Sequence, residues 1–234
     1  MTSVLSRPIT PTERVATRRH YLMCRPDHFA VAYAINPWMR PGVAVDVALA
    51  VEQWEALRRT YLELGHRVDL VDPLPGLPDM VYAANGATVV DGVVYGALFR
   101  HAVREPEAAA HRVWFRAAGH RRVVVPGFVN EGEGDLLVAG GAILAGFGFR
   151  TDPRAHAEAA RVLRREVVPL QLVDPRFYHL DTAVAVLDAT TIAWLPEAFR
   201  PASRALLQEL FPDAVVADAA DAAVLGLNAV SDGR

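Results

Sequence analysis

The feature that most constrains this chain is a strand–strand–helix–strand unit that returns at intervals of roughly fifty residues. A shorter version comes first: a strand at residues 21–24, an amphipathic helix from Val47 to Leu64 and a strand from His66 to Val71. Val47, Val51, Trp54, Leu57, Tyr61 and Leu64 share one helical face by their three- and four-residue spacing, and Gly65 stops the helix. Two strand-like runs follow, Met80 to Val90 and Val93 to Phe99, joined by Asp91-Gly92, a strong hairpin signal. A helix at 105–118 and a strand at 122–125 complete that unit. The order returns with strands at 136–139 and 142–147 around Gly140-Gly141. A helix from Pro153 to Glu166, N-capped by Asp152, leads to a strand at 170–173. A third pass has strands at 182–187 and 191–195, a helix at 201–211 and a strand at 214–217. A fourth opens with a strand from Val224 to Val230, reaches the turn residues Ser231-Asp232-Gly233 and stops at Arg234.

One such unit cannot bury its own apolar face, so its repeats build a closed ring or a solenoid. An open α/β sheet whose elements alternate by chance is the plainer alternative. The chemistry placed at the same point of each unit favours the ring. Asp79 and Asn85 lead into the first hairpin, Glu131, Glu133 and Asp135 into the second, and His179 and Asp181 into the third; Asn228 lies just inside the fourth. Polar groups at equivalent ends of similar units converge on a pocket. The fourth unit is expected to be incomplete, which would expose an unpaired strand edge. The expectation is therefore a fragment, or a chain whose missing part is covered in a homo-oligomer or by a partner chain.

Composition narrows the classes. With 52% hydrophobic and 22% charged residues the chain reads as globular. A formal net charge of −3 with scattered arginines argues against a nucleic-acid partner. No apolar run reaches the ~18 residues of a membrane span, and residues 10–20 are too polar for a signal peptide. A cytoplasmic location is the default expectation. The single cysteine, Cys24, excludes an internal disulfide and reads as a small apolar core residue.

Five segments together carry a resemblance: Leu22-Met-Cys-Arg-Pro, Tyr33-Ala-Ile-Asn-Pro-Trp-Met, Glu131-Gly-Glu-Gly-Asp-Leu-Leu, Gly146-Phe-Gly-Phe-Arg-Thr-Asp and His179-Leu-Asp-Thr-Ala. In order and spacing they resemble bacterial dimethylarginine dimethylaminohydrolase-like proteins. These group with arginine deiminases and amidinotransferases in the pentein superfamily, a five-bladed α/β propeller of ββαβ units. The resemblance implies a single guanidino-group-modifying propeller domain over residues 1–234, with its last blade incomplete. It implies a hydrolase of arginine or methylated arginine that forms citrulline through a Cys-His-Glu covalent mechanism, without cofactor or metal. The ligand would be a small guanidino amino acid. The family's nucleophilic cysteine follows the fifth blade's helix, a region with no counterpart here, so this chain is expected to be inactive. A catalytically dead guanidine-binding remnant and an amidinotransferase are the other readings.

A guanidinium carbon is a poor electrophile, so carboxylates must hold the group flat while a thiolate adds. A histidine can then protonate the leaving amine and activate water. His179 matches the family's catalytic histidine. Asp181, read as a strand residue two positions on, points the same way and joins the substrate-binding set. His-x-Asp also suits a metal, but no third ligand has a compelling spacing. Glu131 or Glu133 would be the acidic partner, and the spacing to Asp135 favours Glu131. Asp79 matches a substrate-binding carboxylate, and Tyr82 a pocket wall. Ala84 and Asn85 stand where dimethylarginine enzymes carry two acids, which draws charge away from the guanidinium side, although Asn85 still offers an amide oxygen. Arg100 and Arg150 match the positions that hold the substrate's α-carboxylate. Asn36-Pro-Trp-Met reads as a lid, or as packing.

Overall fold

The computed structural model describes residues 14–233, and the repeat is visible in how their strands pair. Two compact units form, Arg18–Glu133 and residues 134–233 together with 14–17. Both are built of small mixed sheets with helices between the strands, an α/β arrangement.

In the first unit, β1 (His20–Cys24) and β2 (Arg67–Val71) pair in parallel, from His20 opposite Arg67 to Cys24 opposite Val71. Between them runs α1 (Val47–Glu63), whose first turn is tied down by Asp46 accepting the Leu49 N–H at 2.9 Å. Of the predicted apolar face Trp54 is buried and Val47, Val51 and Tyr61 are half-buried, while Leu57 and Leu64 are exposed. β3 (Ala87–Val90) and β4 (Val93–Gly96) form an antiparallel hairpin. Its turn residues Asp91 (φ 49°) and Gly92 (φ 76°) are both left-handed, as a two-residue hairpin loop requires. α2 (Glu105–Ala117) follows, and β5 (Arg122–Val124) pairs in parallel with β4.

The second unit repeats that plan twice. β6 (Leu136–Ala139) and β7 (Ala142–Phe147) are antiparallel; α3 (Arg154–Leu163) follows, and β8 (Glu166–Gln171) pairs in parallel with β7. β9 (Val184–Val186), β10 (Ile192–Trp194), α4 (Pro201–Leu210) and β11 (Val215–Val216) give the same order. In each three-stranded sheet the middle strand is the one that precedes the helix. β7, with Ala142 to Gly146 buried, carries apolar side chains on both faces, as a covered central strand must. Its core continues through Leu170, Leu180, Trp194, Phe177 and Phe199. A Phe-Arg pair recurs at 99–100, 149–150 and 199–200, in the segment that leaves each hairpin.

Four expectations change. Residues 80–86 are not the start of a strand but part of two 3-10 turns, Pro78–Val81 and Ala83–Gly86. Pro78 starts the first turn, and the small run Ala83-Ala84-Asn85-Gly86 has no ladder partner to extend it. Arg164, left-handed at φ 54°, ends α3 early, and the strand starts at Glu166 rather than 170. Pro169 is tolerated in β8 because β8 is an outer strand. The sequence reading did not foresee α5 (Ala219–Ala223), where Asp218 accepts the Ala220 and Asp221 N–H groups and Asp221 accepts that of Asp218. The expected strand over 224–230 is not formed. A strand exists only as part of a ladder, and none of the described residues pairs with this stretch. Leu225 turns left-handed, and the Ser231 hydroxyl donates to the Leu187 carbonyl at 2.6 Å.

Leu170 has no exposed surface and Val216 is 64% exposed. Leu170→Ala should lower unfolding stability by about 2–5 kcal/mol, whereas Val216→Ala should stay within about 0.5 kcal/mol of wild type. Urea denaturation of the two variants checks this, and equal effects would contradict the assigned core.

Candidate functional site

Tyr82, Glu131 and His179 each stand five residues before the first strand of their hairpin, which begins at Ala87, Leu136 and Val184 respectively. A 3-10 turn lies between in every case: Ala83–Gly86, Gly132–Gly134 and Leu180–Thr182. The repeat therefore delivers one side chain per unit to the same topological point.

In the first compact unit, Asp79 and Asn85 are joined by a buried cation, Arg104, which also feels the charge of Glu131 and which the sequence did not single out. Arg104 is 3% exposed. Its Nε and Nη2 donate to the two oxygens of Glu107 at 2.9 and 2.8 Å, its Nη1 to Asn85 Oδ1 at 3.0 Å and its Nη2 to the Asp79 carbonyl at 3.2 Å. The Asp79 carboxylate stands 3.8 Å from its Nε, and the guanidinium lies over the Phe99 ring at 4.6 Å. Burial pushes the pKa of Arg104 down, but the bonds to Glu107 and the charges of Asp79 and Glu131 more than offset it, so the group stays a cation. Tyr33 donates its hydroxyl to Asp79 at 3.0 Å, and burial beside that carboxylate pushes the phenol's pKa up.

Glu131 is fully buried while Glu133 is exposed, which separates the two glutamates the sequence left open. A Glu131 oxygen accepts the Arg100 backbone N–H at 3.1 Å, and its carbonyl accepts Asn85 Nδ2 at 3.4 Å. Gly132 makes this possible: it is left-handed at φ 55°, and a Cβ there would lie 2.6 Å from the Ala84 carbonyl. The Arg100 side chain is exposed. Tyr82 is half exposed and meets the Phe29 ring edge-on at 6.0 Å. In the Asn36-Pro-Trp-Met segment Asn36 accepts the Trp38 N–H at 2.9 Å, closing a local turn. Cys24 is fully buried against Val71 and Met80, and burial pushes its thiol up to about 12, so it is inert as a nucleophile at neutral pH.

In the second compact unit the Asp135 carboxylate, one of the acids leading into the second hairpin, accepts from three partners: His179 Nδ1 at 3.1 Å, the Thr151 hydroxyl at 2.7 Å and the Leu180 N–H at 3.1 Å. A carboxylate only accepts, so Nδ1 carries the proton and, in the neutral ring, Nε2 is the basic nitrogen. Gly146 leaves room for this: a Cβ there would stand 2.9 Å from Asp135 Oδ1. Asp181 and His179 are not neighbours along a strand, as the sequence suggested: His179 is extended and precedes the 3-10 turn Leu180–Thr182, which holds Asp181. Burial pushes the Asp181 carboxyl up to about 7, with His179 opposing and Asp135 reinforcing the shift, while Asn228 reaches the Asp181 carbonyl at 3.3 Å. Arg150 is buried, its guanidinium 4.8 Å above the Tyr178 ring, unlike its exposed counterpart Arg100.

Arg104 and Glu107 were legible only in part. Their i, i+3 spacing is visible, but an acid in the first turn of a helix ordinarily reads as solvated, and nothing local signals burial. Among the described residues no group of three His, Cys, Asp or Glu is placed to hold a metal, and no helix is long and apolar enough to cross a membrane.

No known family profile matches the sequence. It is 56% identical over 224 residues to the N(G),N(G)-dimethylarginine dimethylaminohydrolase of Mycobacterium tuberculosis, covering 96% of this chain and 74% of that protein. The crystal structure of the substrate-bound N-terminal domain of ArgZ, an arginine dihydrolase from the ornithine-ammonia cycle in cyanobacteria, superposes with a TM-score of 0.86. Identity is 37%, over 91% of this chain and 80% of that one. The dimethylarginine dimethylaminohydrolase of Pseudomonas aeruginosa, complexed with citrulline, shares the fold with a TM-score of 0.72 at 17% identity, covering 88% of this chain and 78% of that one.

Two outcomes are expected of the site. Arg104→Met strands Glu107 and Asp79 as buried anions and should cost about 3–5 kcal/mol of stability, whereas Arg154→Ala, which removes an exposed pair with Asp152, should leave the urea curve near wild type. Asp181 binds its proton more tightly in the folded chain than the ordinary value of 3.8 allows. Its stabilising contribution is therefore complete below that value and is lost as pH rises toward about 7. Asp181→Asn should accordingly gain Tm relative to wild type between pH ~4 and ~8. A pH-independent difference would contradict the raised carboxyl of the half-buried Asp181.

Proposed function

The chain belongs to the dimethylarginine dimethylaminohydrolase-like family of guanidino-modifying hydrolases, and from that premise we propose that it binds a guanidino amino acid, arginine before methylated arginine. In this reading the chain is one propeller domain, with the ββαβ recurrence as its support. The observation that carries the functional reading is the Asp135–His179 pair. It holds the imidazole with Nδ1 protonated and Nε2 basic, the form needed to take a proton from water and return one to a leaving amine. Glu131, buried with its carboxylate accepting the Arg100 backbone N–H, is the acidic partner in this reading. Asp79 and Asp181 are carboxylates for the guanidinium, and Arg100 and Arg150 are cations for the α-carboxylate.

Two features refine the substrate. Ala84 and Asn85 leave that side of the site without the two acids of the dimethylarginine enzymes, and one relative is an arginine dihydrolase. Arginine is therefore the better candidate. Citrulline-forming turnover needs a thiolate as well. Cys24 is the sole cysteine of these 234 residues, and its burial in β1 removes it from that role. A guanidine-binding chain without turnover is the form of the activity that these residues support.

Purified protein titrated calorimetrically with L-arginine and with asymmetric dimethylarginine should bind arginine at least as tightly, and a colorimetric assay should detect no citrulline. Binding of neither ligand would sink the proposal. Any citrulline production would overturn the reading of a chain without turnover, and its loss in Cys24→Ser would show that the Cys24 thiol is the nucleophile after all.

A further inference from the structure

We propose that Arg104 is a positioning residue of the candidate site, fixing the Asn85 amide so that position 85 meets a ligand with N–H and not with an acceptor. The inference rests on the reading of the site as one for guanidino amino acids and their ureido products.

The orientation of Asn85 follows from what its two neighbours can do. A guanidinium only donates, so the group 3.0 Å from Arg104 Nη1 is the amide oxygen. A backbone carbonyl only accepts, so the group 3.4 Å from the Glu131 oxygen is the amide nitrogen. Both contacts select the same flip; the opposite one would set donor against donor and oxygen against oxygen. Arg104 cannot swing away, because Glu107 holds its Nε and Nη2, the Asp79 carbonyl takes a second bond from Nη2, and Phe99 covers one face. A lysine could not replace it, since a single ammonium does not span Glu107, Asn85 and the Asp79 carbonyl with a planar fork.

The consequence is chemical. A guanidinium presents only N–H groups and needs acceptors. The Asn85 oxygen already faces a cation, and a second cation on the same oxygen would be repelled at close range. What Asn85 has left is one N–H, which suits an oxygen. The ureido group of a citrulline-type product offers one where arginine offers nitrogen. An aspartate at position 85 would pair with Arg104 and still present an anionic acceptor. Arg104 and Asn85 together therefore tilt this wall from guanidinium toward ureido oxygen.

A double-mutant cycle on ligand affinity tests this. L-citrulline and L-arginine are titrated calorimetrically into wild type, R104K, N85A and the double variant. R104K should weaken citrulline binding by about tenfold in the wild-type background and by less than about twofold when Asn85 is already alanine, because the effect passes through that side chain. Arginine affinity should fall less than citrulline affinity. Equal losses in both backgrounds would mean that Arg104 matters only for folding, and the inference would fail. Should R104K not fold, 15N NMR of the wild type decides: the Asn85 side-chain amide pair should shift on adding citrulline while the Arg104 Nε–H stays in place. An unmoved Asn85 pair overturns the inference. Wild type that binds neither ligand overturns the functional reading too, whereas binding with additive losses overturns this inference alone.

Discussion

The second strand of each hairpin is hydrogen-bonded on both sides, antiparallel to the strand before it and parallel to the strand that follows the helix. Much else depends on that double pairing. It fixes the register of the hairpin, and the register sets where the chain must come in to begin it. The lead-in is a 3-10 turn each time, and the residue before the turn is Tyr82, Glu131 or His179. A one-residue slip in any ladder would send the polar lead-in to the other face of its sheet. The site chemistry is thus set by backbone pairing before any side chain makes a contact.

Burying charge is the second constraint. Glu107, Glu131 and Asp79 are withdrawn from water in the first unit, and an uncompensated carboxylate there would be severely destabilising. One arginine answers most of this, with its fork shared between a carboxylate, an amide and a carbonyl. In the second unit Asp135 is compensated differently, by a hydroxyl, a backbone N–H and an imidazole. The two carboxylate environments favour different functions. A cation locks its neighbours in place, whereas a carboxylate-bound imidazole keeps a nitrogen able to exchange protons.

Much of this was legible in the chain itself. Asp91-Gly92 forms the expected turn because two left-handed residues are needed there and the pair supplies them. Helices α1, α2 and α4 fall close to their predicted ranges because their stop and start residues act locally. The misreadings share a cause. Met80 to Gly86 and Val224 to Val230 are apolar enough for strands, but a strand needs a neighbour, and apolar pattern alone does not show whether one exists. The buried role of Arg104 was hidden for the same reason: exposure belongs to the packed chain, not to a residue and its neighbours in sequence. The Phe-Arg pairs at 99–100, 149–150 and 199–200 were a readable sign of equivalent positions, yet they end in one buried and two exposed arginines.

The sequence by itself determined the ββαβ repeat, the family and the residue types at each lead-in, since periodicity, turn chemistry and motif order are local properties. Only the tertiary structure decided which acids are paired. It placed Asp135 on His179, buried Glu131 while leaving Glu133 in solvent, and set the Asn85 oxygen against Arg104. Those outcomes depend on groups up to 46 residues apart in sequence meeting at hydrogen-bonding distance, as the Asn85 amide and the Glu131 backbone carbonyl do. The ladders bring such groups together, and local pattern carries no information about the distance between them.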